Sequence, residues 1–290
     1  MKSFPDSELI LNADGSVFHL HLLPGQIAET ILLVGDPGRV DMIAALLSDV
    51  EFRIANREFV TVTGQYKGKR LSIVGTGIGT DNIDIVLNEL DVLVNVDLKT
   101  RTEKPVKTVL NLIRIGTCGG MQADLIPGTF LISEKSIGFD GLLNFYAGRD
   151  AVCDLEFEAA FRSQMNWSDS LGHPYVISAS SELIERIGKD DMKRGVTISA
   201  NGFYGPQGRE LRIPLAKPDM NALLEKFSWN GYRITNYEME SSAVAGLSAL
   251  LGHQGMSVCV VIANRLAKEV TPNYHQAMEI LIETVLERLK

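Results

Sequence analysis

Arg233-Ile234-Thr235-Asn236-Tyr237-Glu238-Met239-Glu240-Ser241-Ser242-Ala243-Val244-Ala245-Gly246-Leu247-Ser248-Ala249-Leu250-Leu251 changes character halfway along. Arg233–Tyr237 reads as a short strand, and Ser241–Leu251, built of small and apolar residues, reads as a helix. Two carboxylates therefore stand at a strand-to-helix junction with Met239 between them. In an extended segment Glu238 and Glu240 point the same way. Their neighbours are apolar, so each acid needs donors or a cationic partner. Acids at a helix start also favour the N-terminal dipole. A capped helix and a binding site are both open at this point.

The same plan of strand, glycine turn and helix recurs upstream. Thr30–Val34 is an apolar strand, followed by Gly35-Asp36-Pro37-Gly38-Arg39 and a helix over Val40–Leu47. Such a turn leaves backbone N–H groups bare and suits an anion, with Arg39 adding charge; the alternative is a tight turn carrying an exposed arginine. Val60–Tyr66 and Leu71–Val74 flank Lys67-Gly68 and read as a hairpin. Gly75-Thr76-Gly77-Ile78-Gly79-Thr80 then precedes a long helix opening near Asp81. With Asp97 downstream, this invites comparison with a dinucleotide fingerprint, and an NAD-dependent dehydrogenase is kept as a rival. Thr80, however, is too bulky for the third glycine position. A loop that lets backbone approach a sugar or phosphate fits better.

Leu110–Ile115 is the next buried strand, and Arg114 inside it demands an anionic partner or a structural ion pair. Gly116-Thr117-Cys118-Gly119-Gly120 reads as a glycine turn at its carboxyl end, where open α/β sheets bind ligands. Pro127–Ser136 and Val196–Ala200 read as strands, and Cys153–Leu171 as helix and surface. The loop Asn201-Gly202-Phe203-Tyr204-Gly205-Pro206-Gln207-Gly208-Arg209 offers aromatics, an amide and an arginine, which are parts for holding a planar heterocycle. Val258–Ile262 is a strand, and Asn273–Leu289 an amphipathic helix. His19, between apolar residues, reads locally as structural.

The 290 residues are 45% hydrophobic and 22% charged, an ordinary globular composition. No repeat or linker interrupts them, so one domain over 1–290 is expected, with 1–15 as a surface segment. The net charge of −8 gives no electrostatic footprint for nucleic acid or an anionic membrane. Cys118, Cys153 and Cys259 lack metal-type spacing and suit a reducing cytoplasm. P-loop, zinc-type histidine pairs and nucleophile elbow are not found.

Val17–Leu20, Gly35–Arg39, Asn56–Phe59, Thr76–Gly79, Arg114–Thr117, Phe203–Arg209 and Asn236–Ser241 come in the order seen in the uridine phosphorylase branch of the nucleoside phosphorylase-I family. The chain resembles that family from about Ser16 to the last helix. The resemblance implies an α/β fold: a three-layer α/β/α sandwich around a central mixed, partly barrel-like β-sheet. It implies phosphorolysis of uridine to uracil and ribose 1-phosphate. Gly35, Arg39, Arg114 and Thr117 would hold phosphate, with Arg57 reaching in from a neighbouring subunit. Glu240 would hold the ribose 2′- and 3′-hydroxyls, Met239 would pack under the sugar, and the neighbour's copy of His19 would meet the 5′-hydroxyl. Gln207 and Arg209 would read the uracil edge and Phe203 would stack on it. Tyr237 and Glu238 would lie beside base and sugar through their backbone, and Ile262 would line the base pocket.

A shared site implies a homodimer at least, with a hexamer left open. No cofactor is implied beyond phosphate as co-substrate. Some members bind a monovalent cation at the interface through an acid like Glu58 and a serine; Asn82 stands at the serine position here, so the ion is not carried over. Other departures are the swapped Gly205-Pro206, Gly208 where an acid is common, and extra residues around 96–107 and 138–173. A nucleoside hydrolase and a purine nucleoside phosphorylase of the same fold are the near alternatives, and a non-catalytic nucleoside-binding protein the distant one.

Overall fold

The computed structural model describes residues 2–265 and 274–290, together with the backbone of 269–270. Its long strands are β1 (Thr30–Val34), β2 (Ser48–Asn56), β3 (Phe59–Tyr66) and β4 (Lys69–Gly75). A two-stranded ribbon of β5 (Val96–Asp97) and β6 (Thr102–Glu103) follows. Then come β7 (Asn111–Gly120), β8 (Phe130–Gly138), β9 (Tyr175–Ser178), β10 (Lys193–Ser199), β11 (Ser228–Trp229), β12 (Tyr232–Glu238), β13 (Gln254–Asn264) and β14 (Glu269–Val270). The helices are α1 (Pro37–Ala44), α2 (Thr80–Asn95), α3 (Leu155–Gln164), α4 (Ser181–Ile187), α5 (Met220–Lys226), α6 (Ser241–Leu251) and α7 (His275–Leu289). The first residue of the expected last helix, Asn273, lies outside the described residues.

The main sheet runs β11-β12-β10-β8-β13-β7-β1-β4-β3-β2, and β12 also pairs with β7. That extra pairing closes β7, β13, β8, β10 and β12 into a five-strand partial barrel, from which β1, β4, β3 and β2 extend as an open wing. The fold is thus mixed α/β in three layers. Leu32 and Val34 of β1 pack with residues of α1, α4 and α7, whereas Ile31 and Leu33 pack with residues of α2 and α6. A strand buried on both faces reads as a continuous apolar run, which is why TILLV was legible. The β3–β4 hairpin turns on Lys67 and Gly68, both at positive φ (49° and 83°), the geometry a two-residue hairpin loop needs.

Three expectations shift. Residues 116–120 do not turn: β7 continues through them, paired with β13 from Cys259↔Gly116 to Asn264↔Gly120 with one register shift at Ile262. Gly116 is required because a Cβ there would meet the Arg114 Nη1 at 2.2 Å. Helix α1 starts at Pro37, earlier than expected, with the Asp36 carboxylate accepting from the Gly38 N–H at 2.9 Å, so its start is not bare. The N-terminal segment is pinned to the β5–β6 ribbon by Phe4 N–H to Arg101 O and Glu103 N–H to Lys2 O, with Leu9 buried. Among the described residues no helix is long and apolar enough to cross a membrane.

The extra residues 138–173 bring α3 over the barrel's outer face. There Phe161 is fully buried, with ring centroids 6.0 Å from Phe139, 5.6 Å from Trp167 and 5.4 Å from Phe227. Phe161→Ala should lower unfolding free energy by about 3–5 kcal/mol, read from urea melts. A loss below about 1 kcal/mol would mean that α3 is not an integral part of the core.

Candidate active site

The carboxyl ends of several strands converge on a cavity of about 610 Å³. Its walls come from Gly35–Arg39 after β1, Ile78 after β4, Arg114 and Thr117–Gly119 of β7, and Phe203, Gln207 and Arg209 after β10. Tyr237–Glu240 at the end of β12 and Ile262–Ala263 of β13 complete it. Every residue assigned above to phosphate, ribose or base lines this one cavity except His19 and Arg57.

At the cavity floor Arg114 and Glu240 form a short, buried ion pair, and Glu238 Oε2 lies 3.5 Å from the Arg114 Nη1. Burial works against the charge on Arg114, but Glu240 and Glu238 outweigh it and hold the guanidinium above its ordinary value. Burial pushes Glu240 up from the ordinary carboxylate range, opposed by Arg114. Glu240 Oε1 also accepts from the Gly79 N–H at 2.8 Å. The glycine loop therefore does let backbone approach the site, and what it grips is this carboxylate. Gly77 is at φ 69°, and a Cβ there would sit 2.4 Å from the Asn82 side chain.

Beside this cluster Arg39 is buried, its Nη1 donating to Ile115 O at 3.2 Å. It makes no ion pair among the described residues. Burial first, then Arg114, holds its guanidinium below its ordinary value. A buried cation without a carboxylate beside a second guanidinium is unfavourable until an anion joins it.

The two junction acids divide the readings that local sequence left open. The strand ends at Glu238, and Glu240 takes φ −141°, ψ −21°, so alternation along an extended chain does not reach it. Glu238 Oε1 accepts from Ser199 Oγ (2.6 Å) and Ser241 Oγ (2.7 Å), and its Oε2 from the Glu240 and Ser241 N–H groups (2.8 Å each). It is the cap of α6. Glu240 does not cap the helix with its side chain, and faces the cavity.

At the other end, Gly205–Gln207 forms one 3-10 turn closed by Gly208 at φ 66°, where a Cβ would lie 2.4 Å from the Asn221 amide. That accounts for glycine at 208. Gln207 is buried and its Oε1 accepts from Arg209 Nη1 at 2.6 Å. The Arg209 guanidinium lies 3.8 Å from the Phe203 ring centroid, so one partner of the exposed ring is already this arginine. Burial, then Arg265, brings Arg209 down to about 10, so it stays charged at neutral pH.

Arg265 escaped the sequence reading, which stopped at the strand before it. Its Nη2 donates to Gln207 O at 2.9 Å, its guanidinium lies 5.9 Å from the Tyr237 ring, and its buried Nη1 has no partner among the described residues. Its position just after an apolar strand was the available signal.

His19 and Arg57 sit together on another part of the surface. The Arg57 guanidinium is 5.1 Å from the Phe18 ring, whose other neighbour is the His19 imidazole at 4.9 Å. Asn56 Nδ2 donates to His19 O at 2.7 Å. A second cavity, about 900 Å³, adjoins the first at Arg209 and is lined by Trp167, Leu211, Ile213 and Met220 among others. It is larger but holds no carboxylate, so the acid–arginine chemistry belongs to the smaller one.

The fold and site together define a ligand-binding α/β enzyme of the phosphorylase type. The family model described as phosphorylase superfamily matches residues 29–289, and the chain belongs to that superfamily. It is 29% identical over 277 residues to a uridine phosphorylase of Thermococcus kodakarensis, covering 93% of this chain and 85% of that one. It is 27% identical over 282 residues to a DeoD-type purine nucleoside phosphorylase of Oceanobacillus iheyensis, covering 93% and 99%. A crystal structure of a Trypanosoma brucei nucleoside phosphorylase that shows uridine phosphorylase activity superposes with TM-score 0.86 at 28% identity, covering 97% and 99%. Its enzyme class is accordingly that of the nucleoside phosphorylases, which are pentosyltransferases acting on a nucleoside and phosphate.

If the two acids differ as their contacts indicate, their removal should separate stability from binding. Glu238→Ala strands four donors in a dry site and should cost about 3–5 kcal/mol in chemical denaturation. Glu240→Ala leaves Arg114 beside Glu238 and should cost clearly less. A greater loss for Glu240→Ala would reverse the assignment.

Proposed function

We propose that the chain is a uridine phosphorylase, converting uridine and phosphate reversibly to uracil and ribose 1-phosphate in pyrimidine nucleoside salvage. The observation that carries this reading is Arg39: a buried guanidinium with no ion-pair partner among the described residues, beside Arg114, in the cavity that also holds Glu240 and the Gln207–Arg209 pair. Gly35, Arg39, Arg114 and Thr117 would receive phosphate, Glu240 the ribose 2′- and 3′-hydroxyls over Met239, and Gln207 and Arg209 the base, between Phe203, Tyr237 and Ile262.

Cleaving the glycosidic bond builds positive charge on the sugar and negative charge on the base. A phosphate held by the arginines is placed to attack the anomeric carbon, and positioning of this kind is worth roughly 7–11 kcal/mol at best. Its own negative charge favours the sugar cation. Within one chain Glu238 and Glu240 neutralise Arg114, which leaves Arg39 alone to meet an arriving phosphate dianion, so a further cation is needed. Arg57 of a neighbouring subunit would supply it, which supports a homodimer at least. Phosphate is then a co-substrate and no other cofactor enters the step.

Pyrimidine over purine is supported by both ends of the base site. Gln207 offers a donor and an acceptor, matching uracil N3–H and a ring carbonyl; Arg209 offers donors only. After β13, the Asn264 amide donates to Gln122 O and Leu125 O at 3.1 Å each, so it is engaged away from a purine ring.

Uridine should release uracil only with phosphate present; equal release without it would favour a hydrolase. Cytidine puts an amino group where Arg209 needs an acceptor and should not be turned over. Arg209→Ala removes a charge-assisted contact of roughly 1.5–3 kcal/mol, so kcat/KM for uridine should fall at least tenfold. Turnover of inosine or cytidine as fast as uridine would refute the pyrimidine assignment. Because Glu240 is pushed up, it takes its proton at a higher pH than an exposed glutamate. The acid limb of kcat/KM should fall away above the exposed-glutamate range, and a limb at or below that range would remove Glu240 from substrate binding. Mixed dimers of Arg57→Ala and Glu240→Ala chains should regain activity in the hybrid sites carrying neither change; no recovery would argue for a site built within one subunit.

A further inference from the structure

Glu89 lies on α2, outside the cavity, and nothing in its sequence context distinguishes it from any helix-surface acid. Its carboxylate is nevertheless wholly committed to the turn that carries His19. Oε1 and Oε2 accept from the His19 N–H at 2.9 and 3.1 Å, Oε2 accepts from the Leu20 N–H at 2.8 Å, and Oε1 is 2.7 Å from His19 Nδ1. The Glu89 side chain is 15% exposed and that of His19 30%. An acceptor-only carboxylate facing Nδ1 requires the proton on Nδ1. The neutral ring then carries its lone pair on Nε2, for which no partner occurs among the described residues. From the other side Asn56 holds the His19 carbonyl. Glu89 thus sets the rotation and tautomer of a part-exposed imidazole, while Asn56 helps hold the backbone that carries it. A histidine with only a structural role has no need of a free, oriented Nε2.

We propose that Glu89 is a positioning residue for nucleoside recognition: it presents His19 Nε2 as a fixed hydrogen-bond acceptor for the 5′-hydroxyl of the nucleoside in the neighbouring subunit's site. This rests on the reading of His19 given above, so the test separates the two. Glu89 does not touch substrate. Its effect passes through the imidazole, because a glutamine at 89 cannot accept on both oxygens and its amide can donate to Nδ1, which moves the ring proton to Nε2.

The measurement is the ratio of kcat/KM for uridine to that for 5′-deoxyuridine, which lacks only the hydroxyl concerned. His19→Ala should collapse the ratio at least tenfold. Glu89→Gln should collapse it by a comparable factor while leaving 5′-deoxyuridine turnover within about twofold, and the double variant should lose no more than His19→Ala alone, as residues acting as one unit do. Nitrogen-15 NMR of the unaltered enzyme should show His19 in its Nδ1–H form at neutral pH, a readout that does not depend on any variant folding. Collapse in His19→Ala with the ratio intact in folded Glu89→Gln overturns the role of Glu89 alone. An Nε2–H tautomer in the unaltered enzyme does the same. A ratio unchanged in His19→Ala overturns both the role of His19 and the proposal built on it.

Discussion

Arg114 is a charge in the middle of a strand, and much of the molecule is arranged so that it can be there. β7 is flanked by β1 and β13 and its apolar neighbours are fully buried. The guanidinium is accommodated because position 116 has no side chain, and neutralised because β12 ends in an acid and α6 begins with another. Glu240 is in turn fixed by the Gly79 N–H, so the loop after β4 is tied to the barrel through the same cluster. A buried ion cluster is poor evidence for stability, since a well-packed apolar set could do as well, whereas leaving one of its charges buried with no partner typically costs about 3–5 kcal/mol. Its consequence is electrostatic. It places a neutralised guanidinium beside Arg39, whose own charge has no ion-pair partner among the described residues, and so leaves a polar floor with room for an anion in a chain whose overall charge is negative.

The same cluster explains why two acids one residue apart serve different ends. An acid that accepts from two hydroxyls and two backbone N–H groups has its lone pairs committed; it organises the start of α6 and has little left for a ligand. An acid held by one N–H and one guanidinium retains acceptor capacity toward the cavity. The division follows from where β12 stops: one more extended residue would have kept alternation, and a helix one residue earlier would have lost the bend that turns Glu240 toward Gly79.

What could be read from the sequence follows the same logic. Thr30–Val34 and Ser241–Leu251 were legible to the residue because a doubly buried strand and a largely buried helix are runs of small and apolar residues. β2, SDVEFRIAN, was missed although residues 50–54 alternate apolar and charged, because as an exposed edge strand it buries none of them fully. Residues 116–120 were misread as a turn because glycine marks turns locally, whereas here the ladder to β13 overrides that preference and the missing side chains admit Arg114. The cavity residues announced themselves as charged or glycine residues at strand ends. Arg265 and Glu89 did not, since each acts through a residue close to it only in space. Which acid caps and which faces the cavity was likewise beyond local reasoning, because Ser199 and Gly79 are both distant from the two acids in sequence.

The base end is built on a different principle from the floor. There Arg209 is packed against Phe203 and bonded to Gln207, so its donors are pre-assembled without a carboxylate, and Arg265 stands behind Gln207 and Tyr237 with no counter-ion among the described residues either. The two guanidiniums repel, and after burial this repulsion is what lowers Arg209. A neutral base relieves little of it. In the proposed reaction the departing uracil is an anion, and it relieves the repulsion just as the glycosidic bond breaks. An interaction stronger for the leaving anion than for the intact nucleoside lowers the barrier rather than merely tightening binding. The uncompensated charge at this end, unlike the balanced cluster on the floor, would then be a catalytic property, held in place by the rigidity of the Gly205–Gly208 turn.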